Sequence, residues 1–170
     1  MPQPNIILTG FMGTGKTTLG RLLAKRIGYE FIDTDEQIEK QVGQTITELF
    51  QTQGEAVFRK LEAKLVDDLA QKEGLVIATG GGLVLNQKNV AALNKTGKII
   101  CLTASPEEIL SRVSKQQDVR PLLLEEDPQA KIIELLQQRE AVYQQFPHLS
   151  TSELSCEELL NQLVRLTQAE

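Results

Sequence analysis

The chain has no tryptophan, one histidine, two methionines and two cysteines among its 170 residues. Cys101, on an apparent strand, and Cys156, near a helix start, make neither a metal pair nor a disulfide framework. His148 stands alone before a weak strand signal, which argues against catalytic use. No apolar run approaches the ~18 residues needed to cross a bilayer. Residues 1–4, Met-Pro-Gln-Pro, carry no basic charge, so no secretory signal is expected. Two Tyr, five Phe and no basic run leave nothing suited to nucleic acid. The net charge of −5 opposes any acidic ligand, so an anion must be held by locally placed Lys and Arg and not by long-range steering. The expected setting is cytoplasmic, or organellar after processing, with neither membrane nor nucleic acid as partner. No repeat, low-complexity tract or linker interrupts the chain, and its length is that of a single domain spanning 1–170. No helix shows a long unexplained apolar face, so a monomer is expected.

Against these absences one stretch stands out. Gly10-Phe11-Met12-Gly13-Thr14-Gly15-Lys16-Thr17 has the pattern G-x-x-x-x-G-K-T. Before it, Asn5-Ile6-Ile7-Leu8-Thr9 is a β-branched apolar run of the kind that forms a buried parallel strand. After it, residues 18–27 have helical periodicity and end at Gly28, a natural C-cap. Strand, glycine-rich loop and helix together make a phosphate cradle, because backbone N–H groups and the positive end of a helix converge there. In that cradle Gly13, Thr14, Gly15 and Thr18 surround the phosphates, the Lys16 ammonium reaches the β- and γ-phosphates, and the Thr17 hydroxyl ligates Mg²⁺. A nucleoside triphosphate is the ligand this predicts. Asn94-Lys95-Thr96-Gly97 looks like a guanine-reading N-K-x-D, but Gly97 lacks the carboxylate, which favours ATP.

Apolar runs at 6–9, 30–33, 75–79, 98–103 and, more weakly, 147–151 predict strands. Helical patterns over 16–27, 35–42, 46–53, 55–72, 87–95, 106–115, 128–146 and 156–168 fill the gaps. The alternation predicts an α/β fold, a parallel sheet with helices on both faces and ligands beyond the strand C-termini. The polar stretch 116–127 around Arg120 fits either a mobile lid, at about 115–127, or a long solvent loop.

Several charges fit two roles on spacing alone. Asp33 and Asp35 follow the second strand, where period-two alternation sends both carboxylates to one side, for Mg²⁺ and acceptor hydroxyls. Thr34 or Asp35 serves equally as a helix N-cap. Gly80-Gly81-Gly82 suits close backbone approach to a ligand, or a tight turn. The acidic residue that usually ends this strand in P-loop proteins is missing, which leaves Mg²⁺ to Thr17 and Asp33. Arg139 interrupts an apolar helical stripe with Ile132, Leu136 and Tyr143, so it needs an anion: a structural partner such as Glu62, or a substrate carboxylate gripped bidentately. Arg59 lies between Glu55 and Glu62 on one helical face and reads first as an ion-pair ladder. Arg120 suits an arginine finger supplied in cis. Arg112 suits an adenine or phosphate contact, or plain solvation.

Taken in order, these segments resemble the shikimate kinase family over essentially the whole chain. The carriers are the octet with Thr18-Leu19-Gly20-Arg21, Phe31-Ile32-Asp33-Thr34-Asp35 with Ile38-Glu39, Gly54-Glu55-Ala56-Val57-Phe58-Arg59 with Glu62, Ala78-Thr79-Gly80-Gly81-Gly82, Arg120-Pro121-Leu122-Leu123, and Arg139 with Tyr143. The resemblance implies a five-stranded parallel sheet of order 2-3-1-4-5. It implies transfer of phosphate from ATP, with Mg²⁺, to shikimate, giving ADP and shikimate 3-phosphate for aromatic amino-acid biosynthesis. By the same resemblance Asp35 holds the shikimate hydroxyls and acts as base, and Arg59 and Arg139 take the carboxylate beside the 80–82 turn. Asp33 and Thr17 serve Mg²⁺, Lys16 the phosphates and Arg120 the lid. Leu83 stands where the family commonly has Ala, and register places Val113, beside Arg112, where the family has its adenine-contacting arginine. The competing readings are another small-acid P-loop kinase, such as a gluconate kinase, and an ATP-binding module without phosphotransfer.

Overall fold

The structure, a computed structural model, describes residues 2–115 and 126–168. In chain order it comprises β1 (Asn5–Thr9), α1 (Lys16–Ile27), β2 (Glu30–Asp33), α2 (Thr34–Val42), α3 (Ile46–Gln53), α4 (Glu55–Leu69), β3 (Leu75–Ala78), a 3₁₀ turn (Leu83–Leu85), α5 (Gln87–Asn94), β4 (Gly97–Thr103), α6 (Pro106–Ser114), α7 (Pro128–Tyr143), β5 (His148–Ser150) and α8 (Cys156–Gln168). The strands form one sheet of order β2-β3-β1-β4-β5, every pair parallel. This is the order the family resemblance implied.

Side-chain alternation along the central strands feeds two cores. Ile7, Ile77, Ile99 and Cys101 face α4, α5, α6 and α7, where they pack with Val66, Leu93, Ile109 and Ile132. Ile6, Leu8, Val76, Ile100 and Leu102 face α1 and α8, where they meet Leu19, Leu23, Leu160 and Leu163. A strand buried on both faces has no polar side to show, which is why these runs are continuously apolar in sequence. A smaller cluster of Ile38, Leu49 and Phe58 holds α2, α3 and α4 together as an outlying helical layer. Among the described residues no helix is long and apolar enough to cross a membrane.

Strand and helix limits mostly agree with the sequence pattern to within a residue or two, and Gly28 does cap α1 in the left-handed region. Three limits differ. The helix expected over 55–72 ends at Leu69 and the one expected over 128–146 ends at Tyr143; no glycine marks either end, and both caps keep right-handed backbone. The helix expected from residue 35 begins at Thr34, capped by Asp33. The cap is therefore Asp33, and neither Thr34 nor Asp35 fills that role.

Asn5 ties the sheet's lower edge. Fully buried, it donates through Nδ2 to the Lys72 carbonyl at 2.7 Å and accepts at Oδ1 from the Leu75 N–H at 2.9 Å. It thereby aligns the starts of β1 and β3. Asn5→Ala leaves the buried Leu75 N–H without its bond, while the Lys72 carbonyl lies on an exposed residue that water can reach, so we expect a loss of about 1–3 kcal/mol in urea unfolding. A loss below about 0.5 kcal/mol would show water replacing the side chain.

Candidate active site

The described chemistry-bearing segments lie at the C-terminal end of the sheet. β1 delivers Gly10, whose φ of 133° only glycine adopts easily; a Cβ there would run into the Leu102 carbonyl of β4. Gly13 and Gly15 also have positive φ, at 74° and 95°, so the loop turns back over its own N–H groups before α1 starts. Thr14 is buried and clamps the loop by donating to the Phe11 carbonyl at 2.7 Å. The Lys16 ammonium donates to the Gly10 and Phe11 carbonyls at 2.8 and 2.7 Å, inside the cradle. Thr18 lies exposed on the first turn of α1.

Thr17 and Asp33 meet directly: the hydroxyl donates to Asp33 Oδ2 at 2.8 Å. The other oxygen of Asp33 accepts from the N–H groups of Asp35 and Glu36 at 3.0 and 3.1 Å. One carboxylate thus caps α2 and faces the phosphate loop at once. Asp35 sits in the first turn of α2 and not on an extended strand, so helical rise and not strand alternation carries it forward. Its Oδ1 reaches the glycine turn, 2.9 Å from where a Cβ of Gly80 would be. Thr34, wholly buried between the two acids, accepts from the Gly80 N–H at 3.0 Å and locks α2 to the end of β3.

The arginines flank the same turn. Arg59 Nη1 donates to Glu62 Oε1 at 2.6 Å and Arg59 Nη2 to Glu55 at 3.2 Å, as the helical ladder predicts. The two acids differ sharply, because Glu62 is 1% exposed whereas Glu55 faces solvent. Burial pushes the Glu62 carboxyl up, Arg59 pulls it down, and Asp35 adds a further upward push. Its second oxygen, Oε2, is buried without a hydrogen bond among the described residues and lies 3.3 Å from a Gly80 Cβ position. A Cβ on Gly82 would meet Arg59 Nη2 at 2.5 Å, and one on Gly81 would meet Arg139 Nη1 at 3.0 Å. Any side chain at 81 or 82 would occupy the space the guanidiniums use.

Glu62 is not the partner of Arg139. Arg139 is half-exposed, stacks on the Phe11 ring at 5.4 Å, and pairs with no carboxylate among the described residues. Arg112 is tied down by four bonds, to the Gly13 carbonyl and Thr151 Oγ1 at 3.0 Å each, to Glu108 at 2.9 Å and to the Thr151 carbonyl at 3.1 Å. Its side chain, 35% exposed, braces the loop, α6 and the segment after β5. Arg120, with most of the expected lid, falls outside the described residues. Cys101 lies beneath the loop, where burial pushes its thiol up to about 11, so it stays protonated.

Three features escaped the sequence reading. Thr34 looked like a cap and is a bridge to Gly80; Phe11, inside the octet, provides the face for Arg139; Thr151 anchors Arg112. Only Phe11 carried a signal, being an aromatic placed where the pattern allows any residue.

One end of this sheet can thus handle two anions: a polyphosphate over the glycine loop, and a carboxylate between guanidiniums on the glycine turn. That pairing defines a P-loop kinase acting on small acids. A model of the shikimate kinase family matches residues 12–168, and the chain belongs to that family. It is 47% identical over 162 residues to the shikimate kinase of Caldanaerobacter subterraneus subsp. tengcongensis, covering 95% of this chain and 94% of that one. It is 48% identical over 161 residues to the shikimate kinase of Pelotomaculum thermopropionicum, covering 94% and 93%. A solved structure of shikimate kinase from Acinetobacter baumannii in complex with shikimate superposes with a TM-score of 0.88 at 36% identity, covering 96% of this chain and 92% of that one.

Proposed function

We propose that this chain carries out its family's reaction with the residues assigned as follows. It moves the γ-phosphoryl group of ATP to the 3-hydroxyl of shikimate, giving ADP and shikimate 3-phosphate for aromatic amino-acid biosynthesis. The observation that carries the assignment is the meeting of Asp35, Arg59 and Arg139 on one glycine turn, next to the phosphate loop.

The loop N–H groups of residues 13–18 bind the β- and γ-phosphates, and the Lys16 ammonium exchanges its loop carbonyls for phosphate oxygens. Arg112 holds Gly13 from behind and borders the nucleotide at Thr151. Arg59 and Arg139 grip the shikimate carboxylate on either side of the 80–82 turn. This fixes the ring so that its hydroxyls face Asp35. The substrate oxygen bonds to phosphorus as the bond to the ADP oxygen breaks, and Asp35 takes the hydroxyl proton late in transfer. Arg120 closes over the moving group and excludes water, the competing acceptor.

Among the described residues no group of three or more His, Cys, Asp or Glu could hold a metal by itself. The Thr17–Asp33 pair, one hydroxyl and one carboxylate at 2.8 Å, would hold a Mg²⁺ brought in with the nucleotide, and the ion would supply charge neutralisation for the phosphates. The four exposed large apolar side chains of the described residues, Leu22, Phe50, Leu85 and Ile133, sit on four different elements, which supports a monomer.

A coupled ADP-release assay with Mg-ATP and shikimate, quinate or gluconate tests the reading. Saturable release with shikimate alone is the expected result. Release with gluconate alone would reassign the acid, and silence with all three despite ATP binding would make the chain a binding module.

A further inference from the structure

Tyr143 ends α7 with its ring in the core beside Cys101 and Phe146. A phenylalanine would fill that volume equally well. The hydroxyl, however, does not point into apolar space: it donates to the Gly81 carbonyl at 2.8 Å. Arg139, one helical turn earlier, acts on the same hydroxyl through its charge, which pulls the phenol down. Burial outweighs that cation and pushes the phenol up, so Tyr143 stays neutral and keeps its one proton to donate. With the proton committed to Gly81, the hydroxyl fixes that carbonyl while the Arg139 guanidinium lies beside the same residue.

The planar peptide extends this arrangement to the substrate side. Among the described residues no peptide bond is cis, so the Gly82 N–H points opposite to the Gly81 carbonyl. Holding the carbonyl on α7 turns that N–H away from α7. Among the described residues neither the Gly81 nor the Gly82 N–H donates to another group, although Gly82 is buried. A buried N–H left open in this way is a donor kept for a ligand. Arg139 Nη1 and Tyr143 Oη lie 3.0 and 3.4 Å from the Cβ position of Gly81, and Arg59 lies on that of Gly82, so the peptide sits within one cationic enclosure.

We propose that Tyr143 is a positioning residue for carboxylate recognition, fixing the Gly81–Gly82 peptide against the Arg139 guanidinium. The proposal rests on the shikimate reading above and adds a residue that touches neither substrate. It explains why a tyrosine fills a core position where only its ring is needed for packing.

The test is Tyr143→Phe, which keeps the ring and removes only the hydroxyl. Expected is a rise of ~10-fold in KM for shikimate, the equivalent of one charge-linked hydrogen bond, with kcat and KM for Mg-ATP within about twofold. With the neutral carboxamide of shikimate, wild type and variant should give the same KM, because no carboxylate is left to position. A variant with unchanged KM for shikimate and only a lowered melting temperature would overturn the proposal and leave Tyr143 a packing residue. Wild type inert toward shikimate would instead sink the function itself. Should the variant fail to fold, the wild type supplies a second measurement. Its only two tyrosines, Tyr29 and Tyr143, give two ¹³Cζ resonances in tyrosine-labelled protein. Saturating shikimate should move that of Tyr143 and leave that of Tyr29; a Tyr143 signal that stays in place overturns the coupling.

Discussion

Asp35→Asn lowers kcat by about 10²–10⁴-fold, the usual contribution of a positioned general base, while KM for Mg-ATP stays within about twofold. The selectivity follows from how α2 begins. The N–H of Asp35 bonds to Asp33 Oδ1, and a backbone donor survives the substitution. Asp33 therefore still caps the helix and still receives the Thr17 hydroxyl, so the nucleotide side of the site is unaltered. Asparagine also keeps the side chain's size beside Gly80, where there is no spare room. What is lost is the ability to take a proton. Steady-state kinetics with shikimate and ATP varied in turn, together with nucleotide affinity by calorimetry, separate the two effects. Equal turnover in wild type and variant would remove Asp35 from the proton's path.

Arg139→Met raises KM for shikimate by about 10²-fold or more, since truncating one partner of a desolvated, hydrogen-bonded charge pair costs about 2–5 kcal/mol. Its effect on the fold runs the other way. Arg139 pairs with no carboxylate among the described residues, so its removal strands no buried charge, and methionine suits the Phe11 face it leaves. The melting temperature should hold or rise while shikimate binding collapses and ATP binding is unaffected. That divergence is what marks a side chain held in place for a ligand. Arg59 is a less clean probe because Glu62, 1% exposed, depends on it; removing Arg59 leaves a buried carboxylate without its cation. A parallel fall in stability and affinity for Arg139→Met would reassign it as a structural residue.

Two of the roles left open by spacing separate clearly in space. In sequence Arg59 is a ladder residue between two glutamates, and in the fold it is that and more. Burying Glu62 makes one rung rigid, and the rigid rung aims the guanidinium at Gly82. Arg139, by contrast, announced itself in sequence, since an apolar stripe does not tolerate a cation without cause. Of the two kinds of partner left open, Glu62 drops out, because it is paired with a residue three positions away on its own helix. Arg112 shows the opposite limit. Its four partners come from three separate segments, and no local pattern joins Gly13 to Thr151.

The sequence by itself determined the strand–loop–helix cradle, the alternation of strands and helices, and the cap at Gly28. Each of these depends on short-range rules: which residues tolerate positive φ, which faces repeat at two or 3.6 residues, and which side chains reach a phosphate. The ordered motifs added the sheet order through family resemblance. Only the tertiary structure decided that Asp33 and not its neighbours caps α2, that Thr34 bridges to Gly80, that Arg139 rests on Phe11, and that Tyr143 holds Gly81. The Thr34–Gly80 and Tyr143–Gly81 bonds join residues 46 and 62 positions apart. They are set by which strands lie side by side, a matter of packing that no local periodicity records.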